Sequence, residues 1–562
     1  MSTQSQSAGT PGTPPTVDDD RRTPPGPGGL RHARWWAALS GVVSAAAGFA
    51  VAELVAAFVS PRSSPIFAVG AGVVDQVPPW LKDFAVENFG TNDKAVLLGG
   101  MIVTLALGAA LSGALELRRP PVGAVLLGAV GLVITIVALA RPDAKFLWAA
   151  PTVIGVTVAI ILLRTGAARL RAWEVAETSG TPAGTGVPFE DPDVETPLTA
   201  ARLRATLDRR RFLALTGISA GAAVLVGLGA RALAAGTEAA TAVRETLKLP
   251  GAALPADPIP PGTELGIDGL APYVTPNADF YRIDTALRVP QVDPDTWVLK
   301  VSGLVEEPFE ITFAELLDLP LEEHVVTLAC VSNPVGGDLV GNATWLGYPI
   351  RELLARARPA EGADMVLSTS ADGWTASTPL EVLADESRDC LLAVGMNGEP
   401  LPIEHGFPAR LVVPGLYGYV SATKWVTELK VTTFADDVAY WSTRGWSERG
   451  PIKISSRIDT PRISTDLVAG PVRVAGMAWH QHTGIAGVEV QVDDGPWQPA
   501  QLADAVSTDT WVQWVFDWDA TAGNHTLRSR ATGEDGEVQT EDRANPAPDG
   551  ATGWHTMQVS VE

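Results

Sequence analysis

Cysteine is scarce in this chain of 562 residues, which contains only Cys330 and Cys390. Two thiols cannot build a disulfide framework, and cysteines alone supply neither a CxxC pair nor a four-ligand zinc site. Basic residues are also few relative to acidic ones, and the formal net charge is −23. A general nucleic-acid binder would carry a basic face, so this charge argues against nucleic acid as a partner.

Histidine is sparse too, and none of the seven lies inside the long apolar runs of the N-terminal part. A bis-histidine haem within those runs is therefore excluded, and the near absence of charged or other polar machinery, apart from Glu53, disfavours a transporter. Each run is close to the roughly 20 residues that a membrane-spanning helix needs. The sequence predicts a four-helix transmembrane anchor over 34–165, preceded by a disordered cytoplasmic tail at 1–33. The four runs are 35–59, 95–115, 121–140 and 146–163.

Basic residues identify one side of these spans as cytoplasmic. They precede the first span, separate the second from the third, and follow the fourth. The polar segment 166–211 is then expected to be a cytoplasmic linker. The residues that set this orientation are Arg31, His32, Arg34, Arg118, Arg119, Arg164, Arg169 and Arg171.

A second membrane signal begins at the sequence DRRRFLALTGISAGAAVLVGLGARALAAG, residues 208–236. Adjacent arginines, then Phe212 and Leu213, then a small-residue apolar run resemble a twin-arginine export signal. The alternative is that the arginines simply flank a span on its cytoplasmic side. Both interpretations predict a fifth transmembrane helix over 212–235 and place the rest of the chain outside the plasma membrane. ARALA also fits a cleavage site.

The remaining sequence divides into a linker and two soluble domains. Residues 236–262 are rich in Pro and Ala and are expected to be a linker. Residues 263–435 mix short strands and helices, which predicts an α+β domain. From 436 to 562, VRVAGMAW, GVEVQV, WVQWVFDW and HTMQVSV alternate with period two between turns such as DDGP. This pattern predicts an immunoglobulin-like β-sandwich with tryptophans in its core, although a tryptophan face that binds sugars is the alternative.

Cys330 stands at a strand-to-loop junction. The apolar run from Val325 to Ala329 predicts a buried strand, and a polar, glycine-bearing loop follows the cysteine. A thiol at such a junction can face a cavity, but a buried, inert thiol is the more common case. Cys390 begins another apolar strand and is expected to be inert. The pair Asn397-Gly398 after that strand predicts a hairpin.

Three segments in this part of the chain point to one family. They are TLACVSN, WLGYPIREL and the long block LLAVGMNGEPLPIEHGFPARLVVPGLYGYVSATKW, residues 391–425. Over about 263–562 the sequence resembles the sulfite oxidase family of molybdenum-cofactor enzymes. The resemblance implies a molybdenum–molybdopterin cofactor, with Cys330 as the thiolate ligand of the metal. Soft sulfur ligands suit molybdenum in such a site.

The resemblance also implies a set of cofactor-binding residues. Arg410 and Lys424, with Ser421 as a hydroxyl donor, occupy the positions that hold the cofactor's phosphate. His405 aligns with a contact on the pterin side, and Ser370 matches a further contact. Phe280 and Tyr281 fall in the N-terminal segment that touches the cofactor. Without the resemblance, a surface strand would explain Arg410 and a capped turn would explain His405.

The substrate side departs from the sulfite oxidase pattern. Sulfite oxidases place a tyrosine in an AYGAS-like loop, whereas DGWTAS here places Trp374 at that position. An indole cannot act as an acidic hydroxyl donor. The segment FYRID puts Arg282 one position early, and AWHQHTGIAG lacks the arginine that the family uses to hold sulfite. His480 and His482, in that loop, either face the pocket or lie on its rim.

These observations predict a membrane-anchored molybdenum oxidoreductase with its catalytic domain outside the cytoplasm. Two-electron, oxygen-atom-transfer chemistry on a small molecule is expected, with Cys330 on the metal and Trp374 shaping the pocket. A cytochrome or quinone-linked redox partner, the twin-arginine translocase and a homodimer through the β-sandwich are also implied. The alternatives are a sulfite dehydrogenase and a cofactor-free envelope module that binds ligands through its sandwich.

Overall fold

The computed structural model forms two compact units, Met1–Ala230 and Arg231–Glu562. The expected disordered tail lies largely outside the described residues. Described residues are 29–60, 63–66, 69–70, 93–140, 144–179, 197–234, 237–286, 289–462 and 467–562.

The described residues of the first unit are almost entirely helical. Its helices are α1 (Gly29–Val59), α2 (Asp93–Arg118), α3 (Val122–Leu139), α4 (Ala149–Ser179) and α5 (Pro197–Ala234), with a 3₁₀ turn at Phe146–Trp148 before α4. Glycines allow α1 and α2 to pack closely, because a Cβ on Gly41 would meet the Ala109 carbonyl and one on Gly113 the Ala37 carbonyl. Small residues at such crossings are typical of helices that associate within membranes.

Four helical spans in the described residues are long and apolar enough to cross a membrane, as the sequence predicted. They are Ala33–Val59, Gly99–Arg118, Val122–Leu139 and Phe146–Val175. The predicted linker 166–211 is helical at both ends, since α4 runs to Ser179 and α5 begins at Pro197. Its Ala, Leu, Arg and Glu residues are strong helix formers. The fifth span, 212–235, falls almost wholly in α5 but is not among these four helices, so it stays a prediction.

Two five-stranded sheets form the α+β part of the second unit. The first has the order β2-β1-β10-β5-β6, with β1 and β10 parallel and the other pairs antiparallel. The second has the order β3-β4-β7-β8, and β9 pairs with β7. Strand bounds are β1 Val298–Gly303, β2 Phe309–Thr312, β3 Glu322–Ala329, β4 Val340–Pro349, β5 Met365–Ser370, β6 Thr375–Pro379, β7 Leu391–Met396, β8 Glu399–Pro400, β9 Arg410–Val412 and β10 Val426–Thr432.

Short helices precede, connect or follow these strands. They are α6 Thr237–Thr246, α7 Phe313–Leu317, α8 Ile350–Ala357, α9 Leu380–Ala384 and α10 Gly418–Ser421, with 3₁₀ turns at Ile403–His405 and Ser442–Arg444. Val325 to Ala329 are buried in β3, as predicted. Asn397 and Gly398 both have positive φ (51° and 81°) and join β7 to β8, which confirms the predicted hairpin. The Cys390 thiol is buried and donates to the Val382 carbonyl.

The C-terminal part contains two four-stranded antiparallel sheets that share a core. Their orders are β11-β12-β16-β15 and β14-β13-β17-β18. Trp514 and Trp518 lie in this core, as expected. The immunoglobulin-like type stays a prediction. Strand bounds are β11 Ser455–Thr460, β12 Gly470–Trp479, β13 Ile485–Val492, β14 Gln498–Pro499, β15 Gln501–Leu502, β16 Val512–Ala520, β17 Gly523–Gly533 and β18 His555–Val561.

An irregular segment separates the predicted boundary 435/436 from the sandwich strands. The first sandwich strand begins only at Ser455, and Trp441 and Trp446 pack instead against the α+β core. Trp446 lies beside Tyr419 of α10, with ring centroids 5.9 Å apart. Sequence alternation becomes visible only where strands begin, so the preceding irregular segment carried no signal of its contacts.

Candidate functional site

A cavity of about 130 Å³ opens in the α+β part of the second unit. Segments that are distant in sequence line it: the loop after β3, the turn after β5, the region around β9 and α10, and the stretch before β1. Eight of the nine residues predicted for the site line this cavity, and Ser421 is the exception. The eight are Phe280, Tyr281, Cys330, Ser370, Trp374, His405, Arg410 and Lys424.

Cys330 lies directly after β3, where its N–H donates to the Leu339 carbonyl at 2.9 Å. Burial raises the pKa of its thiol, against hydrogen bonds from Ser332 and the charge of Lys424 that lower it. The thiol is therefore protonated at neutral pH. A thiophilic metal would have to displace that proton, and its charge would then stabilise the thiolate.

Arg410 supplies a buried positive charge to the cavity wall. Its Nε donates to the Leu411 carbonyl and its Nη1 to the His405 carbonyl, and the guanidinium lies 5.0 Å from the centre of the Trp345 ring. Burial lowers the pKa of Arg410 to about 10, so it remains a cation at neutral pH. Among the described residues no carboxylate pairs with it. A buried charge without a counter-ion is costly, so this position fits an anionic ligand group.

Lys424, in contrast, has an internal counter-ion. Its Nζ donates to Asp284 Oδ2 at 2.9 Å and to the Glu404 carbonyl at 3.0 Å. Burial lowers the pKa of Lys424 to about 8, and the Asp284 carboxylate opposes this shift. Arg282 also reaches Asp284 Oδ2, at 3.0 Å, and does not line the cavity. Asp284 therefore accepts hydrogen bonds from both cations. Nothing in the FYRID segment except the charge of the aspartate indicated this role.

His405 is a neutral imidazole on the cavity wall. Burial is the main cause that lowers its pKa to about 4, with the charges of Arg410 and Lys424 adding to it. Its Nε2 lies 3.2 Å from the Asn277 carbonyl, which assigns the ring proton to that nitrogen. Phe280 packs edge-on against the imidazole at 5.6 Å and stacks on Tyr281 at 5.2 Å.

The two predicted serines have different positions. Ser370 ends β5 at the cavity, and its hydroxyl accepts a long hydrogen bond from the Asp372 N–H. Ser421 is completely buried in α10, where its hydroxyl donates to the Leu416 and Tyr417 carbonyls. The structure therefore does not bring Ser421 to the cavity. A serine in the last turn of a short helix bonds to nearby carbonyls instead.

Several aromatic rings also line the cavity, and we call this part of the lining the aromatic wall. Trp374 lies on it as predicted, and sequence reasoning missed Tyr419, Trp441 and Trp446. The Trp441 and Trp446 ring centroids are 6.0 Å apart and those of Tyr419 and Trp446 5.9 Å apart. Asp372, also on this wall, accepts a hydrogen bond from the Trp374 N–H at 3.1 Å. The clustered aromatics of AYWSTRGW were the available signal.

The two histidines of the β12–β13 loop lie elsewhere. His482 Nδ1 is 3.3 Å from Asp509 Oδ1. His480 approaches Asp535 and Glu537, with the three potential ligand atoms within 4.8 Å of one another. Neither histidine lines the cavity, so the possibility that they face it is not realised. Arg410 is the one arginine among the described lining residues.

The assembled site combines the Cys330 thiol, the buried Arg410 cation and the neutral His405 ring. Arg410 has no carboxylate partner among the described residues. Such a set can hold a soft metal on Cys330 and an anionic group of the same cofactor on Arg410. The residues present therefore fit a metal cofactor that carries a phosphate.

Comparison with known proteins identifies a matching family model and several similar proteins. Residues 286–441 match the family described as oxidoreductase molybdopterin binding domain. Mitochondrial sulfite oxidase of Rattus norvegicus is 31% identical over 274 residues, which are 41% of this chain and 49% of that protein. An NADH nitrate reductase of Nicotiana tabacum is 32% identical over 178 residues, 27% of this chain and 20% of that protein. The solved sulfane dehydrogenase SoxCD from Paracoccus pantotrophus is 26% identical, with a TM-score of 0.46, over 52% of this chain and 82% of that chain. The chain spans about half the length of the rat enzyme.

Proposed function

The chain belongs to the sulfite oxidase family of molybdopterin-dependent oxidoreductases, and from this premise we propose that it is a membrane-anchored enzyme of oxygen-atom transfer. It acts on a small molecule outside the cytoplasm and exchanges two electrons with a separate carrier. The observation that carries the proposal is that Arg410, a buried cation with no carboxylate partner among the described residues, lines the same cavity as Cys330. The chain has no haem or flavin motif, so a cytochrome or a quinone-linked protein is the expected redox partner.

The residues of the cavity divide into cofactor holders and a substrate wall. Arg410 and Lys424 would hold the cofactor's phosphate, and Cys330 would ligate its molybdenum. When bound, the cofactor supplies a metal centre that exchanges two electrons and one oxygen atom with the substrate. His405, kept neutral by its depressed pKa, uses its Nε2 proton on the Asn277 carbonyl, so its Nδ1 would face the pterin side as an acceptor without adding charge. Phe280 and Tyr281 provide flat apolar packing, and Ser370 offers a hydroxyl.

The aromatic wall determines access of the substrate to the metal. Trp374, Trp441 and Trp446 exclude water and offer no acidic proton, and Asp372 adds a negative charge. A dianion such as sulfite would find no guanidinium among the described lining residues other than that of Arg410, which is assigned to the cofactor's phosphate. Sulfite dehydrogenase, the activity that the curated relatives favour, is therefore the second candidate.

Sulfite is expected to be a poor substrate of the molybdenum-loaded protein. Each missing charged hydrogen bond to the dianion costs about 1.5–3 kcal/mol, so two missing arginines lower kcat/KM by roughly 10²–10⁴-fold. The purified full chain is first analysed for molybdenum and pterin. Steady-state rates are then compared for sulfite with ferricyanide and for sulfoxides, N-oxides and nitrate with a reduced dye. Sulfite as the best of these substrates would establish sulfite dehydrogenase instead, and a protein without molybdenum would refute both candidates.

The proposed topology places residues from about 237 onward outside the cytoplasm. Four apolar helices support a membrane anchor, and the segment 209–213 supports export through the twin-arginine translocase. That pathway carries folded domains, which suits a domain that receives its cofactor in the cytoplasm. Alkaline phosphatase fused after residue 240 is expected to be active, whereas a fusion after residue 175 is expected to be inactive. The reverse pattern would contradict the proposed sidedness.

The β-sandwich is proposed to join two copies of the chain, as the immunoglobulin-like domain of the family does. It has a core of its own that contains Trp514 and Trp518, and none of its described strands supplies a residue that lines the cavity. Because the sandwich does not line the cavity, assembly of the dimer is the role that we propose for it. Light scattering of the detergent-solubilised protein would distinguish a dimer from a monomer.

A further inference from the structure

Phe212 of the proposed export signal is completely buried within the first unit. Its ring lies between Trp36 of α1 and Trp173 of α4, with centroid distances of 6.0 and 6.3 Å, and the two indoles are 6.4 Å apart. Ala37 and Leu170 complete this cluster. The four-helix anchor thus carries an aromatic pocket at the ends of its first and last helices, and the signal's own phenylalanine fills it.

The arginines next to Phe212 also contact the anchor. Arg169 of α4 donates from Nη1 to the Arg211 carbonyl at 3.1 Å. The Arg209 guanidinium lies 5.7 Å from the centre of the Trp173 ring, within the range of a cation–π interaction. Side chains of the anchor therefore contact both a backbone carbonyl and an arginine side chain of the signal.

Burial along α5 shows that this contact is local. Among the described side chains of α5, only Phe212 and Ser219 are buried. Larger apolar residues farther along the helix stay exposed, such as Ile218 and Leu225, both at 71%. An ordinary packed helix would bury a whole apolar stripe. Here the contact concentrates on the residue that follows the arginines.

We propose that the four-helix anchor masks the export signal by docking Phe212 between Trp36 and Trp173. This inference rests on the proposed twin-arginine export. While Phe212 is docked, a translocase receptor that reads the arginines and the following apolar residues cannot reach them together. Export of the C-terminal domains must therefore wait for undocking, which lengthens the time available for cytoplasmic folding and cofactor insertion. The anchor then regulates export as well as holding the enzyme at the membrane.

The test measures export of the full chain in cells by pulse labelling and by protease accessibility of the C-terminal domains from outside. Trp173→Ala and Trp36→Ala each remove one ring from the pocket and are expected to speed export about three- to tenfold, the population shift that one aromatic pair supports. Trp35→Ala is the matched control, because Trp35 is adjacent but 79% exposed. It is expected to leave the rate unchanged. Trp173→Phe keeps a ring in place and is expected to restore most of the delay.

A second measurement guards against variants whose anchor misfolds. A photo-crosslinking group at Leu213, which is exposed, is expected to capture the translocase receptor more often in Trp173→Ala than in the parent chain. Export rates and crosslinking equal to those of Trp35→Ala, or slower export, would overturn the masking. The double variant Arg209→Lys, Arg210→Lys tests the underlying route separately. It is expected to block export, and export that persists would remove the proposed signal and the masking with it.

Discussion

Cys330→Ser is expected to reduce turnover at least about 100-fold, beyond the roughly 10–100-fold that loss of an outer-shell partner of a metal causes. A serine oxygen is a harder and far less acidic ligand than a thiolate, so it binds a soft metal poorly. The cavity itself should persist, because the Cys330 N–H still donates to the Leu339 carbonyl. Molybdenum per protein, pterin content and steady-state turnover are measured together.

Cys390→Ser provides the matched control. Cys390 is also buried, but its thiol donates to the Val382 carbonyl and does not line the cavity. Its substitution is expected to change stability slightly while molybdenum content and turnover stay near those of the parent chain. Equal turnover and equal molybdenum in both variants would remove Cys330 as the metal ligand.

Arg410→Met is expected to have opposite effects on the cofactor-loaded and cofactor-free protein. Loss of a charged hydrogen bond to the phosphate weakens cofactor binding by about 1.5–3 kcal/mol, and so by at least about tenfold. In the cofactor-free protein the guanidinium is buried without a carboxylate partner, at a cost to folding. Its replacement by an apolar side chain should therefore raise the free energy of unfolding, by on the order of 1 kcal/mol.

Arg457→Met tests whether the gain in the free energy of unfolding is specific to a cation that has no carboxylate partner. Arg457 is buried as well, but its Nε lies 2.6 Å from Asp459 Oδ1. Removing one partner of a buried pair leaves the other charge uncompensated and costs about 3–5 kcal/mol, with or without the cofactor. Thermal unfolding with and without bound molybdopterin measures both variants. Equal destabilisation of the cofactor-free protein by the two substitutions would contradict the claim that the Arg410 charge is uncompensated until an anion binds.

Several features of the fold were predictable because they depend on local sequence. The four apolar spans follow from run length, and the hairpin at Asn397-Gly398 from the positive φ that this pair tolerates. The strand that ends just before Cys330 follows from its apolar residues. The helical ends of the segment 166–211 were missed because its charges suggested a linker, whereas its Ala, Leu and Arg residues favour helix.

Site residues in the family's motif were also predictable, but their partners were not. Eight of the nine line the cavity, whereas the Ser421 hydroxyl donates to the carbonyls of Leu416 and Tyr417. Asp284 was missed because its role depends on Lys424, which is 140 residues away. Trp441 and Trp446 were assigned to the sandwich because no local pattern separates an irregular segment from the domain that follows.

The length and apolar character of the N-terminal helices, the α+β and β-rich parts that follow, and the choice of Cys330 as the candidate metal ligand could all be obtained from the sequence. These properties arise from hydropathy, periodicity and motif, which neighbouring residues carry. Only the packed fold shows which charges are compensated: Asp284 pairs with Lys424, whereas Arg410 has no carboxylate partner among the described residues. It also decided that Trp36 and Trp173 enclose Phe212. Both outcomes depend on distances between residues far apart in the chain, which only the packed fold fixes.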